Sequence, residues 1–158
     1  MSTGHLQAEG DGLALDEFLC FAIYSAGHAF NQFYRPLLDE IGLTYPQYLA
    51  MVSLWSRDDQ TVKVLGQGLF LESNTLTPLL KRLEGLGLVT RTRDPADERQ
   101  VRVRLTEEGC GLRARAAAVP SCVMDAVGMP KGQIKALLRD VAEIRDRLLA
   151  HQQSPSSK

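Results

Sequence analysis

A mainly helical chain with a small β-wing is the fold class that the sequence predicts, and three observations predict it. Leu76, Leu79, Leu80, Leu83 and Leu86 follow the spacing of one buried stripe on a helix that starts near Ser73. Leu88 to Arg93 and Gln100 to Leu105 alternate with a period of two, with Val101, Val103 and Leu105 on one side and Arg102 and Arg104 on the other. The Asp94-Pro95-Ala96-Asp97-Glu98-Arg99 segment between them is turn chemistry. Long amphipathic stretches flank this centre on both sides. The combination is a winged helix-turn-helix framed by N- and C-terminal dimerisation helices. The helix-turn-helix is expected at about 61–86, the wing at about 88–105 and the flanking helices at about 15–41 and 107–150. One domain over 13–150 is expected, with disordered tails at 1–12 and 151–158.

Taken in order, the first 12 residues are Gly-rich and polar, the composition of a frayed tail. Asp16 is placed as an N-cap or first-turn acid of a helix running to about Ile41. Leu19, Ile23, Ala26, Phe30, Phe33, Leu37 and Ile41 lie along one side of it. Pro36 falls inside that pattern, where it kinks or divides a helix. So much apolar surface exceeds what one small lobe covers, and this points to an intermolecular role. Gly42 ends the element, Thr44 caps the next, and Pro46 is tolerated in its first turn.

The second helix, around Tyr45 to Arg57, is expected to bury Tyr48, Leu49, Val52 and Trp55. After a polar turn at 57–60, Thr61 caps a short helix holding Leu65 and Leu69. Gly66 and Gly68 each cost that helix up to about 1 kcal/mol relative to alanine, which close backbone packing would explain. Beyond the wing, Thr106 caps a helix opening on Glu107 and Glu108, acids placed where the helix dipole favours them. A break is expected at Pro120, then a short apolar segment from Ser121 to Val127 containing Cys122, then a turn at Gly128-Met129-Pro130. The last helix, from Lys131 to Ala150, carries Ile134, Leu137, Leu138, Val141, Ile144 and Leu148 on one stripe.

A length of 158 residues suits one domain with a sizeable core. The opening MSTGHLQAEGDG lacks the basic start and apolar run of a signal peptide. No stretch approaches the roughly 20 apolar residues that span a bilayer. Cys20, Cys110 and Cys122 show no CxxC pairing, which speaks against a disulfide scaffold and a structural zinc site. His5, His28 and His151 are scattered. A cytoplasmic protein with no membrane association, metal or cofactor is the expectation.

On the helix from Ser73, the face opposite the leucines carries Asn74, Thr77, Pro78, Lys81 and Arg82. Small polar groups for base edges, followed by cations for phosphates, are what a helix entering a major groove needs. An ordinary solvated helix face has the same composition, and the wing separates the two readings. Residues 73–104 hold seven Lys/Arg against four Asp/Glu, while the rest of the chain holds 11 against 15. A net charge of −1 therefore hides one basic patch, the electrostatic footprint of a phosphate-facing surface.

Double-stranded operator DNA is the partner this implies. The candidate contacts are Ser73, Asn74, Thr75, Thr77, Lys81 and Arg82 on the helix, Arg91 on the first strand, and Arg99 at the wing tip beside the minor groove. Asp94 and Asp97 read as wing support, Asp97 steadying Arg99. Operator half-sites about one helical turn apart call for two copies. A homodimer built from the first and last helices is expected, the alternative being a monomer that folds them onto its own core.

At this point the chain resembles a known family. NTLTPLLKRLEGLGLVTRTRDPADERQVRVRLTEEG is similar to the MarR family of bacterial regulators, and its DPADERQVRVRLTEEG portion matches that family's wing. FLCFAIYSA and FYRPLLDEIGLTYPQYLAM resemble the organic-hydroperoxide-sensing OhrR branch. The resemblance covers essentially the whole chain. It implies that Cys20 is the peroxide-sensing thiol and that Tyr34 and Tyr45 hydrogen-bond to it. In two-cysteine members a second cysteine near the C-terminal helices closes an intersubunit disulfide, and Cys122 suits that position better than Cys110.

The chemistry of Cys20 can be weighed on its own. Backbone N–H groups and the dipole at a helix start favour an anionic sulfur, and phenols donating to sulfur do the same. Hydroperoxide oxidation gives a sulfenic acid, which condenses with a nearby thiol. From the residue alone, a small buried cysteine in an apolar helix is the favoured reading, and the resemblance reverses that. Cys110 follows Glu107-Glu108-Gly109, acids that oppose an anionic sulfur, and stays open as the other resolving candidate. Tyr34 lies 14 residues after Cys20, roughly 21 Å along a continuous helix. Any contact must then come from the partner subunit, unless Pro36 or another break folds the helix back.

Three function classes follow. The leading one is a non-enzymatic repressor that releases its operator when an organic hydroperoxide oxidises Cys20. The nearest alternative is a MarR-type repressor that responds to a small phenolic or apolar ligand, the cysteines being incidental. The third is a thiol peroxidase using Cys20. It receives no local support, because no Arg or Lys occurs between Met1 and Phe33 to activate a substrate.

Overall fold

The computed structural model describes residues 14–153. The expected tail at 1–12, and residues 154–158 of the expected tail at 151–158, lie outside that range. The chain divides into two compact units, one ending at Val119 and the other beginning at Pro120.

In the first unit a 3-10 turn, Leu15–Glu17, precedes helix α1 (Leu19–Asp39). Asp16 belongs to the turn and does not cap the long helix. The N-cap position is Phe18, which has no acceptor and makes no side-chain capping bond. Pro36 neither ends nor divides α1; it withholds one backbone donor and the helix continues through it. Gly42, at φ +71°, turns the chain into helix α2 (Tyr45–Ser56). There Thr44 and Gln47 form a reciprocal capping box, Gln47 N–H donating to Thr44 Oγ1 and Thr44 N–H to Gln47 Oε1.

The buried residues of α2 are Gln47, Tyr48, Ala50, Met51 and Leu54, and the expected Leu49 and Val52 are exposed. Trp55 is half-buried at the core's edge, because its Nε1–H needs an acceptor and finds Gly109 O at 2.8 Å.

A two-residue strand, β1 (Gln60–Thr61), lies where a plain turn was expected. It is too short to show alternation. Helix α3 (Val62–Leu69) follows, capped by Thr61 Oγ1 accepting from Val64 N–H at 3.2 Å. A Cβ at Gly66 would sit 2.8 Å from Leu71 O, so close backbone packing accounts for that glycine, whereas Gly68 has open space around it.

Helix α4 (Ser73–Gly85) buries Leu76, Leu80 and Leu83 completely. Leu86, expected on the same stripe, falls beyond the helix end and is 49% exposed. Strands β2 (Val89–Arg93) and β3 (Val101–Leu105) pair antiparallel, Val89 opposite Leu105 and Arg93 opposite Val101. The sheet order is β1-β3-β2, with Gln60 opposite Val103. Helix α5 (Glu107–Ala116) starts at the Thr106 cap and lies so close to the wing that a Cβ on Gly109 would be 2.0 Å from Leu88 O. It ends at Ala116, ahead of the expected break. Pro120 instead stands in the first turn of α6 (Val119–Val127), where its missing N–H is no loss.

Two further observations concern exposed helix faces. Only the C-terminal part of α1 joins the core of its unit, through Tyr34, Leu37 and Leu38. Leu19, Phe21, Ile23, Phe30 and Phe33 on the rest of it are exposed. In the second unit, Gly128 at φ +63° separates α6 from α7 (Lys131–Gln153), which runs three residues past the expected end. Leu137, Leu138, Val141 and Leu148 on α7 are exposed as well.

Candidate functional site

The polar face of α4 is held outward by its leucines. Ser73, Asn74, Thr75, Lys81 and Arg82 are exposed and Thr77 is half-buried. Thr77 Oγ1–H donates to Ser73 O at 2.8 Å. Its hydrogen is therefore used within the helix, and it offers outward a methyl group and oxygen lone pairs. Pro78 has no N–H for the Asn74 carbonyl, which leaves that acceptor without its usual helical donor. Lys81 and Arg82 make no ion pair among the described residues.

Most of the wing's charge is paired within the protein. Arg91 Nε and Nη2 both donate to Glu84 Oε2, at 3.0 and 2.9 Å, and its N–H donates to Glu84 Oε1. Arg91 thus ties β2 to α4. Arg102 Nε donates to Asp59 Oδ1 at 2.7 Å and its Nη1 to Asp94 Oδ2 at 2.9 Å. Arg104 reaches Asp59 as well, at 2.9 Å. These two guanidiniums hold the Asp59 carboxyl down at about 2. Asp94 also accepts from Ala96 N–H at 2.9 Å, and the Asp94 carboxyl lies below the usual range through that bond and Arg102. At the tip, Asp97 Oδ1 accepts from Arg99 N–H and Nε, and Arg99 remains 90% exposed at its side chain.

One cation escaped the sequence analysis. Lys63, in the first turn of α3, faces a cleft of about 500 Å³ between the start of that helix, α4 and the wing. A signal was available: a lysine in a helix's first turn lies against the dipole.

The thiol site divides differently. Cys20 is exposed at the second position of α1, beside the uncapped helix start. Tyr34 on α1 and Tyr45 on α2 are brought together, their ring centroids 4.6 Å apart, and Tyr48 adds a third ring 5.9 Å from Tyr34. Burial, and then the neighbouring phenols of Tyr45 and Tyr48, push the Tyr34 phenol up to about 12. Burial raises Tyr45 and Tyr48 as well, Tyr48 with a smaller push from Tyr45. All three are therefore O–H donors at neutral pH. Because α1 is continuous, Cys20 stands roughly 21 Å from this cluster within its own protomer. Cys110, in the first turn of α5, and Cys122, on α6, are both exposed.

The family of SarA/Rot transcriptional regulators matches residues 32–114. The HTH-type transcriptional regulator TtmR of Methylorubrum extorquens strain PA1 is 49% identical over 140 residues, 89% of this chain and 72% of that one. The organic hydroperoxide resistance transcriptional regulator of Bacillus subtilis strain 168 is 45% identical over 114 residues, 72% of this chain and 78% of that one. Among solved structures, reduced AbfR of Staphylococcus epidermidis bound to DNA is 37% identical, with a TM-score of 0.71 over 83% of this chain and 92% of that one.

Proposed function

Because the chain belongs to the OhrR branch of the MarR family of transcriptional regulators, we propose that it is a homodimeric repressor that binds double-stranded operator DNA and releases it when an organic hydroperoxide oxidises Cys20. The observation that carries this reading is the Tyr34–Tyr45 pair: two protonated phenols packed together, their rings tilted by 39°, at one end of α1, with Cys20 at the other. Two α1 helices paired antiparallel about a two-fold axis near Gly27, midway between residues 20 and 34, bring Cys20 of one subunit to the tyrosines of the other. The apolar stripe exposed on α1 is the surface such a pairing covers. α7 contributes a second exposed stripe to the same dimer.

In the reduced state the phenols donate to the sulfur and favour its anion. The Cys20 thiolate attacks the terminal oxygen of the hydroperoxide and the O–O bond breaks. The alkoxide leaves and takes a proton to become the alcohol, and the cysteine becomes a sulfenic acid. The Cys122 thiol of the partner subunit then displaces water, closing an intersubunit disulfide. Cys110 is the competing resolving thiol. Losing the thiolate–phenol bonds at the dimer interface changes the spacing of the two α4 helices, and DNA held at two half-sites is released. The groove contacts fall to Ser73, Asn74, Thr75, Thr77, Lys81 and Arg82, with Arg99 beside the minor groove. Arg91 acts as a brace through Glu84.

DNA retention by wild type and by Cys20→Ser, each with and without cumene hydroperoxide, tests the reading. Wild type is expected to release DNA on oxidation and Cys20→Ser to keep it. A Cys20→Ser protein that still releases DNA removes Cys20 from the switch. Mass mapping of the oxidised dimer under non-reducing conditions identifies the Cys20 partner.

A further inference from the structure

We propose that Lys63 is a DNA-backbone contact. It would hold a phosphate in the cleft between the start of α3 and the wing, a site distinct from the α4 face. The inference rests on the DNA-binding reading above and adds a residue and a place to it. Three observations carry it.

The cleft, about 500 Å³, is lined by Lys63, Ser73, Thr77, Arg91, Arg99 and Gln100 among others, so it lies between the proposed major-groove helix and the wing tip. A duplex engaged by both elements must pass its sugar–phosphate strand across this gap, since the strand is what separates a major from a minor groove. The cations on the wing side of the cleft are already partnered by acids, Arg91 by Glu84 and Arg99 by Asp97. Lys63 has no acidic partner among the described residues.

The position of Lys63 is also electrostatically unfavourable in the free protein. It is exposed in the first turn of α3, where the helix dipole presents positive charge that the Thr61 cap meets only at Val64 N–H, and where acids, not cations, are stabilising. Among the described residues no acid pairs with it. A phosphate in the cleft does, because it meets the ammonium and the positive end of the helix together. Val62, beside it, is packed against the core, so the lysine is carried on a fixed helix start.

The test uses the full-length reduced protein and the duplex most enriched by wild type from a randomised 30-base-pair pool. Affinity is measured across a salt series for wild type, Lys63→Gln, Lys81→Gln as a groove-face comparison and Lys135→Gln on α7 as a surface control. Lys63→Gln is expected to weaken binding about threefold to tenfold at low salt and to reduce the slope of log K against log salt by about one unit. Lys135→Gln should change neither. Neutral methylphosphonates placed singly along the duplex should include one that weakens wild type but has no further effect on Lys63→Gln. A wild-type slope in Lys63→Gln, alongside a reduced slope in Lys81→Gln, would overturn the Lys63 assignment and leave the DNA reading standing. A methylphosphonate scan with no such non-additive position would overturn it too. Failure of any duplex to enrich would overturn the DNA reading itself.

Discussion

At neutral pH the phenol of Tyr34 is a donor and not an anion, since burial and the two neighbouring phenols hold it at about 12. A thiolate is the acceptor that benefits most from such a group, because a hydrogen bond to a charged partner is worth about 1.5–3 kcal/mol. Tyr34→Phe keeps the ring that packs at 4.6 Å on Tyr45 and removes only the O–H. We expect stopped-flow oxidation of Cys20 by cumene hydroperoxide to slow about tenfold or more, and reduced-state DNA affinity to fall, because one of the phenol bonds that hold the DNA-binding spacing is gone. An unaltered oxidation rate would take Tyr34 out of the sensor. At this scale the residue types were legible in the sequence and their pairings were not. Arg91 and Lys63 both line the cleft beside the wing, yet the fold pairs Arg91 with Glu84 and leaves Lys63 without an acidic partner among the described residues. Lys63 precedes the basic stretch at 73–104 in the chain, and only the fold of α3 against the wing brings it into the patch.

Among the elements, the wing owes its placement to a cluster that alternation alone does not reveal. Asp58 and Asp59, in the turn before β1, reach β3 through the Leu105 N–H and the guanidiniums of Arg102 and Arg104. Asp59 stands at φ +56°, a left-handed conformation that aspartate tolerates in turns. Its carboxyl is held at about 2, below its ordinary 3.8. A depressed folded-state value means that the carboxylate stabilises the fold above pH about 4. That contribution is lost as pH falls from there through 2. Wild type should therefore show an Asp59 carboxyl resonance titrating near 2 by NMR, with the β3 amide signals moving in step. In Arg102→Gln/Arg104→Gln the midpoint should return toward the ordinary aspartate range. A midpoint unmoved in the double variant would mean that the arginines do not set it. The strand β1 belongs to the same lesson: two residues carry no periodic signal, and their pairing with Val103 and Arg102 is a long-range contact.

At the scale of the whole molecule, the exposed apolar length of α1 is the feature to account for. Gly27, midway between Cys20 and Tyr34, is exposed, and a Cβ built there meets nothing within 4 Å. Gly27→Leu is thus sterically free within a protomer and favours the helix by up to about 1 kcal/mol. In an antiparallel α1 pair crossing at that level, the larger side chain forces the helices apart, because interaxial distance depends on the residues at the contact. Sedimentation should show weaker self-association with helicity by circular dichroism retained, and an unchanged dimer would place the crossing elsewhere. The winged helix-turn-helix, the caps at Thr44, Thr61 and Thr106, and the basic centre were all determined by the sequence itself. Each is written in local periodicity, cap chemistry or charge within a few residues. The tertiary structure alone decided which side of α2 is buried, that β1 exists, that Tyr34 and Tyr45 meet, and which arginines are already paired. Those depend on residues far apart in the chain, and packing and ion pairing select among them only once the core has closed.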